Sequence, residues 1–194
     1  MKNVMLYAAA LALATGISAA HAANDFYVGG NLGQSTFKDA GPGWDDSDVA
    51  YKAYVGFTTG DVVDFRVGYT NLGKASLTSA FESDEFKSQG AFVDALFKYK
   101  PISELSVYGK IGAAYLQTKY NGSYSDGFYS GSASEKSNKI HFVPGVGVNY
   151  DVNGSLGVTA EYEYYLNVGD KSALDNIDYE TDVSVLSVGV YFRL

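Results

Sequence analysis

VSVLSVGVYFRL, residues 183–194, closes the chain and decides how the rest is read. Leu186, Val188, Val190, Phe192 and Leu194 share one parity; Ser187, Gly189, Tyr191 and Arg193 share the other. A strand sends alternate side chains to opposite faces. One face here is apolar to the final residue, while the other is small, hydroxylated or charged. That contrast fits a strand whose apolar face meets lipid and whose polar face meets a wet interior.

Working outward, the same alternation recurs seven more times. The strands are Asn24–Phe37, Val49–Thr59, Val62–Thr70, Gly90–Tyr99, Leu105–Thr118, Ile140–Asp151, Ser155–Leu166 and Val183–Leu194. Their lengths suit the roughly 9–11 residues that a tilted strand needs to cross a bilayer. The connections alternate long and short. Thr59-Gly60-Asp61, Lys100–Glu104 and Val152-Asn153-Gly154 are tight turns, and 38–48, 71–88, 119–138 and 167–182 are expected as loops. The predicted fold is all-β: an eight-stranded, antiparallel, up-and-down transmembrane β-barrel with brief turns at one end and long loops at the other. The structural rival is a soluble lipocalin-like barrel, which requires the reverse polarity, charges outside and apolar residues within.

Aromatic residues gather at the strand ends and predict two girdles. Phe26, Phe57, Phe97, Tyr99, Tyr150 and Phe192 belong to the short-turn side; Tyr51, Tyr69, Tyr115, Phe142 and Tyr164 lie near the loops. The polar face carries Asn31, Arg66, Asp94, Lys98, Lys110, Asn149, Glu161, Glu163 and Arg193. Eight strands enclose a space that side chains can fill. Charges of both signs must pair there, because an unpaired buried charge is costly. Asp94 and Glu161 are the expected partners of Arg66 and Lys110, leaving little room for a continuous pore.

The chain's start reads differently. Lys2 precedes an uncharged apolar run, Val4–Ile17, and Ala20-His21-Ala22 is a small-x-small processing site. Residues 1–22 are expected to be a cleaved secretory signal and 23–194 the barrel domain. Across 194 residues there is no cysteine and the net charge is −8, so disulfides are excluded and an acidic surface argues against nucleic-acid binding.

Several runs together resemble a known family. They are FYVGGNLGQS (26–35), DFRVGYTNLG (64–73), FKSQGAFVDALFKYKP (86–101), LSVYGKIGAAY (105–115), PGVGVNYDV (144–152), VTAEYEYY (158–165) and LSVGVYFRL (186–194). In that order they resemble the N-terminal transmembrane barrel of the outer-membrane protein A family, among the small outer-membrane β-barrels. The resemblance implies a multi-pass protein of the Gram-negative outer membrane, in contact with lipid and lipopolysaccharide and inserted by the barrel-assembly machinery. Many such proteins carry a peptidoglycan-binding domain after the barrel; with the barrel strand closing the sequence at Leu194, a tethering role is not expected. The family usually ends in an aromatic residue, a place taken by Leu194, with Phe192 keeping the alternation. Its interior ion network has an acidic residue where Arg66 stands and basic ones where Asn31 and Thr159 stand, so its gating is not carried over.

His141 is expected inside, near the top of the sixth strand, and the lipid A deacylases and palmitoyl transferases among outer-membrane barrels use His with Ser. The His-x-Ser pattern is absent, since the sequence reads His141-Phe142-Val143. Glu161 and Glu163 form a same-face carboxylate pair, but their cationic neighbours favour ion pairing over glycosidase chemistry. Asp45, Asp46 and Asp48, and Asp170, Asp175, Asp178, Glu180 and Asp182, form acidic clusters without EF-hand spacing, which are expected as solvated loops. Gly29-Gly30-x-x-Gly33 has no following helix and is no nucleotide loop. The Tyr/Ser/Gly-rich segment 121–134 suits a recognition surface or a plain loop equally. The expected function is therefore non-enzymatic, without cofactor or metal: envelope integrity, with loops offered for adhesion or recognition by a host or matrix ligand. A narrow porin-like channel is the alternative, and a lipid A-modifying enzyme a third reading.

Overall fold

A computed structural model describes residues 26–38, 46–78, 82–125, 130–174 and 177–194. The expected signal segment and its processing site lie outside these residues, as do Asn24 and the middle of the first loop. Nine strands are described: β1 (Phe26–Phe37), β2 (Ser47–Thr59), β3 (Val63–Thr78), β4 (Glu82–Ile102), β5 (Leu105–Ser125), β6 (Ser130–Phe142), β7 (Gly145–Asp151), β8 (Leu156–Leu174) and β9 (Ile177–Arg193). All pairings are antiparallel, and the order β4-β3-β2-β1-β9-β8-β7-β5 closes through β4–β5 into a ring of eight strands. The final strand zips to the first with Leu32 opposite Val188, so no barrel edge is left unpaired.

Two expectations need correction. The sixth strand is not one uninterrupted element, because Val143 and Pro144 separate β6 from β7. Proline has no amide hydrogen to give to a ladder. The wall nevertheless continues through this point. Val143 N–H donates to the Gly112 carbonyl at 2.9 Å, and the Pro144 carbonyl accepts from Tyr164 N–H at 3.0 Å. The second correction concerns the loops at 71–88, 119–138 and 167–182, which are largely strand. β3 and β4 stay paired to Thr78 and Ser83, β5 and β6 to Ser125 and Ser130, and β8 and β9 to Leu174 and Ile177. Once clear of lipid, the outward face becomes polar and the apolar alternation fades, yet the backbone groups of two adjacent strands still need partners. β4 and β5, at 21 residues each, are about twice the length needed to cross a membrane.

Polarity runs as in a membrane barrel. Leu32, Val67, Val93, Ile111, Val146, Val158 and Val188 point outward, most of them about half exposed. Arg66, Asp94, Lys110, Glu161 and Glu163 point inward and are buried. This distribution is the opposite of a lipocalin's. Of the girdle positions on the short-turn side, Phe26 and Phe57 sit opposite each other with ring centroids 4.9 Å apart, and Phe97, Tyr99, Tyr150 and Phe192 are exposed. At the other end Tyr51, Tyr69, Tyr115 and Phe142 are exposed. Tyr164 is held at the rim, with its hydroxyl donating to Asp182 at 2.8 Å and the Lys38 ammonium 4.7 Å above its ring.

The interior is not polar throughout. Toward the long hairpins it becomes an apolar storey of Phe37, Leu72, Phe86, Leu116, Val143, Tyr165, Val168 and Val183, all buried. Phe37 and Phe86 meet edge to face at 5.8 Å. Leu72 and Phe86 belong to the stretch expected as a polar loop, which is why the sequence did not reveal this layer. Ile111, 51% exposed, lies midway along the wall between Val107 and Tyr115. Its replacement by arginine is expected to cost about 2–4 kcal/mol, read as a lowered urea midpoint in lipid vesicles; the same change at exposed Asn138 is expected to leave that midpoint nearly unmoved.

Candidate functional site

Six charged side chains meet at the barrel's centre. Lys52 comes from β2, Arg66 from β3, Asp94 from β4, Lys110 from β5, and Glu161 and Glu163 from β8. Each is at most 3% exposed at its side chain. Arg66 and Asp94 are direct cross-strand neighbours and form a two-pronged pair. Nε donates to Oδ1 and Nη2 to Oδ2, each at 2.9 Å. Arg66 Nη2 also donates to Glu161 Oε2 at 2.7 Å. Lys110 Nζ lies 2.8 Å from Asp94 Oδ2 and 3.5 Å from Glu161 Oε1, and also pairs with Glu163. Lys52 pairs with Glu161 and lies 3.0 Å from Glu163 Oε2. Tyr108 completes the set, its hydroxyl donating to Glu161 Oε2 at 2.7 Å. Three cations thus face three anions, the balance that a low-dielectric interior demands.

Glycines let these groups meet. Gly145 of β7 stands between Lys110 on one neighbouring strand and Glu163 on the other. A Cβ there would lie 2.9 Å from Lys110 Cε. Gly147 stands likewise between Tyr108 and Glu161. The absence of a side chain on β7 allows residues of β5 and β8 to bond across it. Aromatic rings line the cations: Arg66 lies 4.9 Å from the Tyr54 ring centre, and Lys52 lies 5.6 Å from that of Phe92.

The remaining predicted lumen residues take other places. Lys98 pairs with Asp64, Nζ to Oδ1 at 2.5 Å, and Asp64 also accepts from Tyr27 at 3.2 Å. Arg193 Nη2 donates to Asp151 Oδ1 at 2.7 Å, where Tyr191 also bonds. These pairs and half-buried Asn149 line a polar vestibule on the short-turn side. Asn31 is buried apart and donates to Ser187 at 3.2 Å. Sequence reading missed Lys52 and Asp64. Both occupy the inward parity of strands whose outward residues were assigned, so the alternation alone signals them.

His141 is buried. It lies beside the backbone of Leu166 and Asn167 of β8, where no ladder joins β6 to β8 among the described residues. Asp48 and Asp182 are turned to backbone duty. Asp48 accepts from Val49 N–H at 2.7 Å and Lys74 N–H at 2.8 Å. Asp182 accepts from Asn167 N–H at 2.9 Å, where Asn167 adopts φ 54° beside a bulge in the β8–β9 ladder. Asp45 and Asp175 lie outside the described residues. Among the described residues no three His, Cys, Asp or Glu side chains converge as a metal site.

Truncating Glu161 to alanine takes one carboxylate from three cations and leaves the cluster with an excess positive charge; it is expected to lower stability by about 3–5 kcal/mol, measured by urea titration in detergent or lipid. The double replacement Arg66→Met with Asp94→Leu removes both partners of the pair. It is expected to cost less than Arg66→Met alone, because no charge of that pair remains uncompensated.

The comparisons with known proteins fit this architecture. The model of the OmpA-like transmembrane domain matches residues 21–194. Outer membrane protein A of Yersinia pseudotuberculosis is 26% identical over 98% of this chain and 54% of that protein. The Salmonella typhi protein of the same name is 28% identical over 99% of the chain and 55% of that protein. The chain thus spans about half the length of the curated relatives it matches. Among solved structures, Ail, the attachment invasion locus protein of Yersinia pestis, superposes with a TM-score of 0.58 at 18% identity, covering 88% of this chain and 99% of that one. Neisserial surface protein A gives 0.56 at 19% identity, covering 87% and 97%. The chain belongs to the OmpA-like transmembrane domain family and is an outer-membrane β-barrel protein.

Proposed function

We propose that this protein is a non-enzymatic, closed barrel that contributes to the integrity of the outer membrane and lifts strand hairpins above it for adhesion or recognition. The observation that carries the reading is the double closure of the lumen. Among the described residues, an ionic layer in which every charge has a partner lies beneath a storey of large buried apolar side chains. Hydrated ions do not cross a dry apolar constriction of this kind readily. The narrow-channel alternative therefore loses its main support, the mixed charge of the interior. The non-enzymatic reading is supported by the burial of His141 and by Glu161 and Glu163, both committed to lysines. Adhesion is supported by the hairpins that continue well past the upper aromatic residues. It is also in keeping with a fold shared with Ail, an attachment protein crystallised with the heparin analogue sucrose octasulfate.

Purified protein in planar bilayers is expected to give no large, stable conductance steps; such steps would overturn the closed lumen. Tyr120 and Glu135 face each other across β5 and β6, so residues 121–134 can be replaced by an Asn-Gly turn without changing register. The shortened protein is expected to keep its heat-modifiable migration and to lose binding to host cells and matrix proteins. Undiminished binding would remove the adhesion role from this hairpin. A deletion strain is expected to be more sensitive to detergent, and an unchanged tolerance would remove the envelope role.

A further inference from the structure

The register of the projecting strands arranges their outward residues in three rows across β3, β4, β5 and β6. The lowest is Tyr69, Ala91, Tyr115 and Ile140, which belongs to the lipid boundary. Next come three amides, Gln89, Gln117 and Asn138, in register with Asn71, which is buried and bonded to Tyr51. Above them, past a bulge between Asn71 and Lys74, stand Lys74, Lys87, Lys119 and Lys136, each directly opposite the next. The chain has 14 Lys and Arg against 22 Asp and Glu, so four ammonium groups in one line do not follow from composition.

Like charges directly opposite on neighbouring strands are destabilising. Lys74 is relieved by Glu85, 3.1 Å away. Among the described residues no carboxylate pairs with Lys87, Lys119 or Lys136. Protection of a sheet edge, the usual reason for exposed strand lysines, would need them only on β3 and β6. Lys87 and Lys119 are on the inner strands β4 and β5. Height supplies the remaining argument. Lys119 is four residues beyond Tyr115, about 13 Å along the strand and roughly 10 Å above the girdle at the usual tilt. Four strands put the row at about 14 Å wide. That is the depth of head groups, on the wall that faces the membrane's own lipids rather than on the hairpin tips.

We infer that the Lys74–Lys87–Lys119–Lys136 row binds the phosphates of an outer-leaflet glycolipid, with the amide row hydrogen-bonding its sugars and the Tyr69–Tyr115–Ile140 row meeting its acyl chains. Ammonium–phosphate bonds are the strong, charge-assisted kind, and they relieve the repulsion along the row. The site gives the proposed envelope role a lipid partner. It rests on the outer-membrane placement and not on adhesion, so the hairpin-shortening result and the result below can fail separately.

The test titrates the full barrel in detergent micelles with bisphosphorylated lipid A, with the same lipid after phosphate removal, and with soluble sucrose octasulfate. The variant Lys87→Gln/Lys119→Gln/Lys136→Gln is expected to bind bisphosphorylated lipid A roughly tenfold or more weakly. The matching triple arginine variant and Lys100→Gln, at the far end of the barrel, are expected to bind as the parent does. Dephosphorylated lipid is expected to bind parent and triple glutamine variant alike. Equal affinity of parent and triple glutamine variant for the phosphorylated lipid would overturn the inference. So would tighter binding of sucrose octasulfate than of lipid A, which would make the row a site for soluble polyanions. Should the triple variant fail to show heat-modifiable migration, Lys119→Gln and a salt titration of the parent stand in. Binding that salt does not weaken would overturn the inference equally.

Discussion

The centre of this barrel depends on charge balance among side chains buried away from bulk solvent. Lys52, Arg66 and Lys110 have no escape to solvent, and neither do Asp94, Glu161 and Glu163. Each ion is tolerable only because the others are fixed within bonding distance. The wall is built to let that happen. Gly145 and Gly147 clear the way across β7, Arg66 and Asp94 share a rung of the β3–β4 ladder, and the two glutamates stand two residues apart on one strand. The cluster pins strands from opposite sides of the ring, so the barrel's cross-section is set from within as well as by its hydrogen-bonded wall.

Function divides along the axis. The middle band is a solved problem of solvation, apolar to lipid and ionic within. The short-turn end keeps a polar vestibule with its own pairs, Lys98–Asp64 and Arg193–Asp151. The other end turns dry inside and polar outside, the reverse of the middle. This inversion marks where the protein leaves the bilayer. Above it the fold is an ordinary soluble sheet with an apolar inner face, continuous with the barrel but obeying different rules.

That inversion also explains what the sequence revealed and what it hid. Within the membrane the rule is strict, so alternation placed Val67 outside, Arg66 inside, and located all eight crossings. The same alternation assigns Lys52 to the inner face, between the outward-facing Tyr51 and Ala53. Above the membrane, Asn71–Ser88 has a polar composition and looked like a loop. Its pairing is carried by backbone bonds that leave no compositional trace, and Leu72 and Phe86 acquire meaning only when Phe37 and Leu116 are seen facing them. Which acid serves which base was partly legible: Asp94 and Glu161 were expected for Arg66 and Lys110. Glu163 with Lys52 depends on the stagger of strands remote in the chain, which a single sequence does not encode openly.

The β5–β6 hairpin rises from the rim without a register shift, and a strand's two faces alternate strictly. Lengthening the hairpin by an even number of residues on each arm keeps its dry side dry; an odd insertion turns the surface inside out from that point upward. Tip sequences can therefore diversify freely, while the height of this hairpin changes in quanta of two unless a bulge, like that between Asn71 and Lys74, absorbs the odd residue.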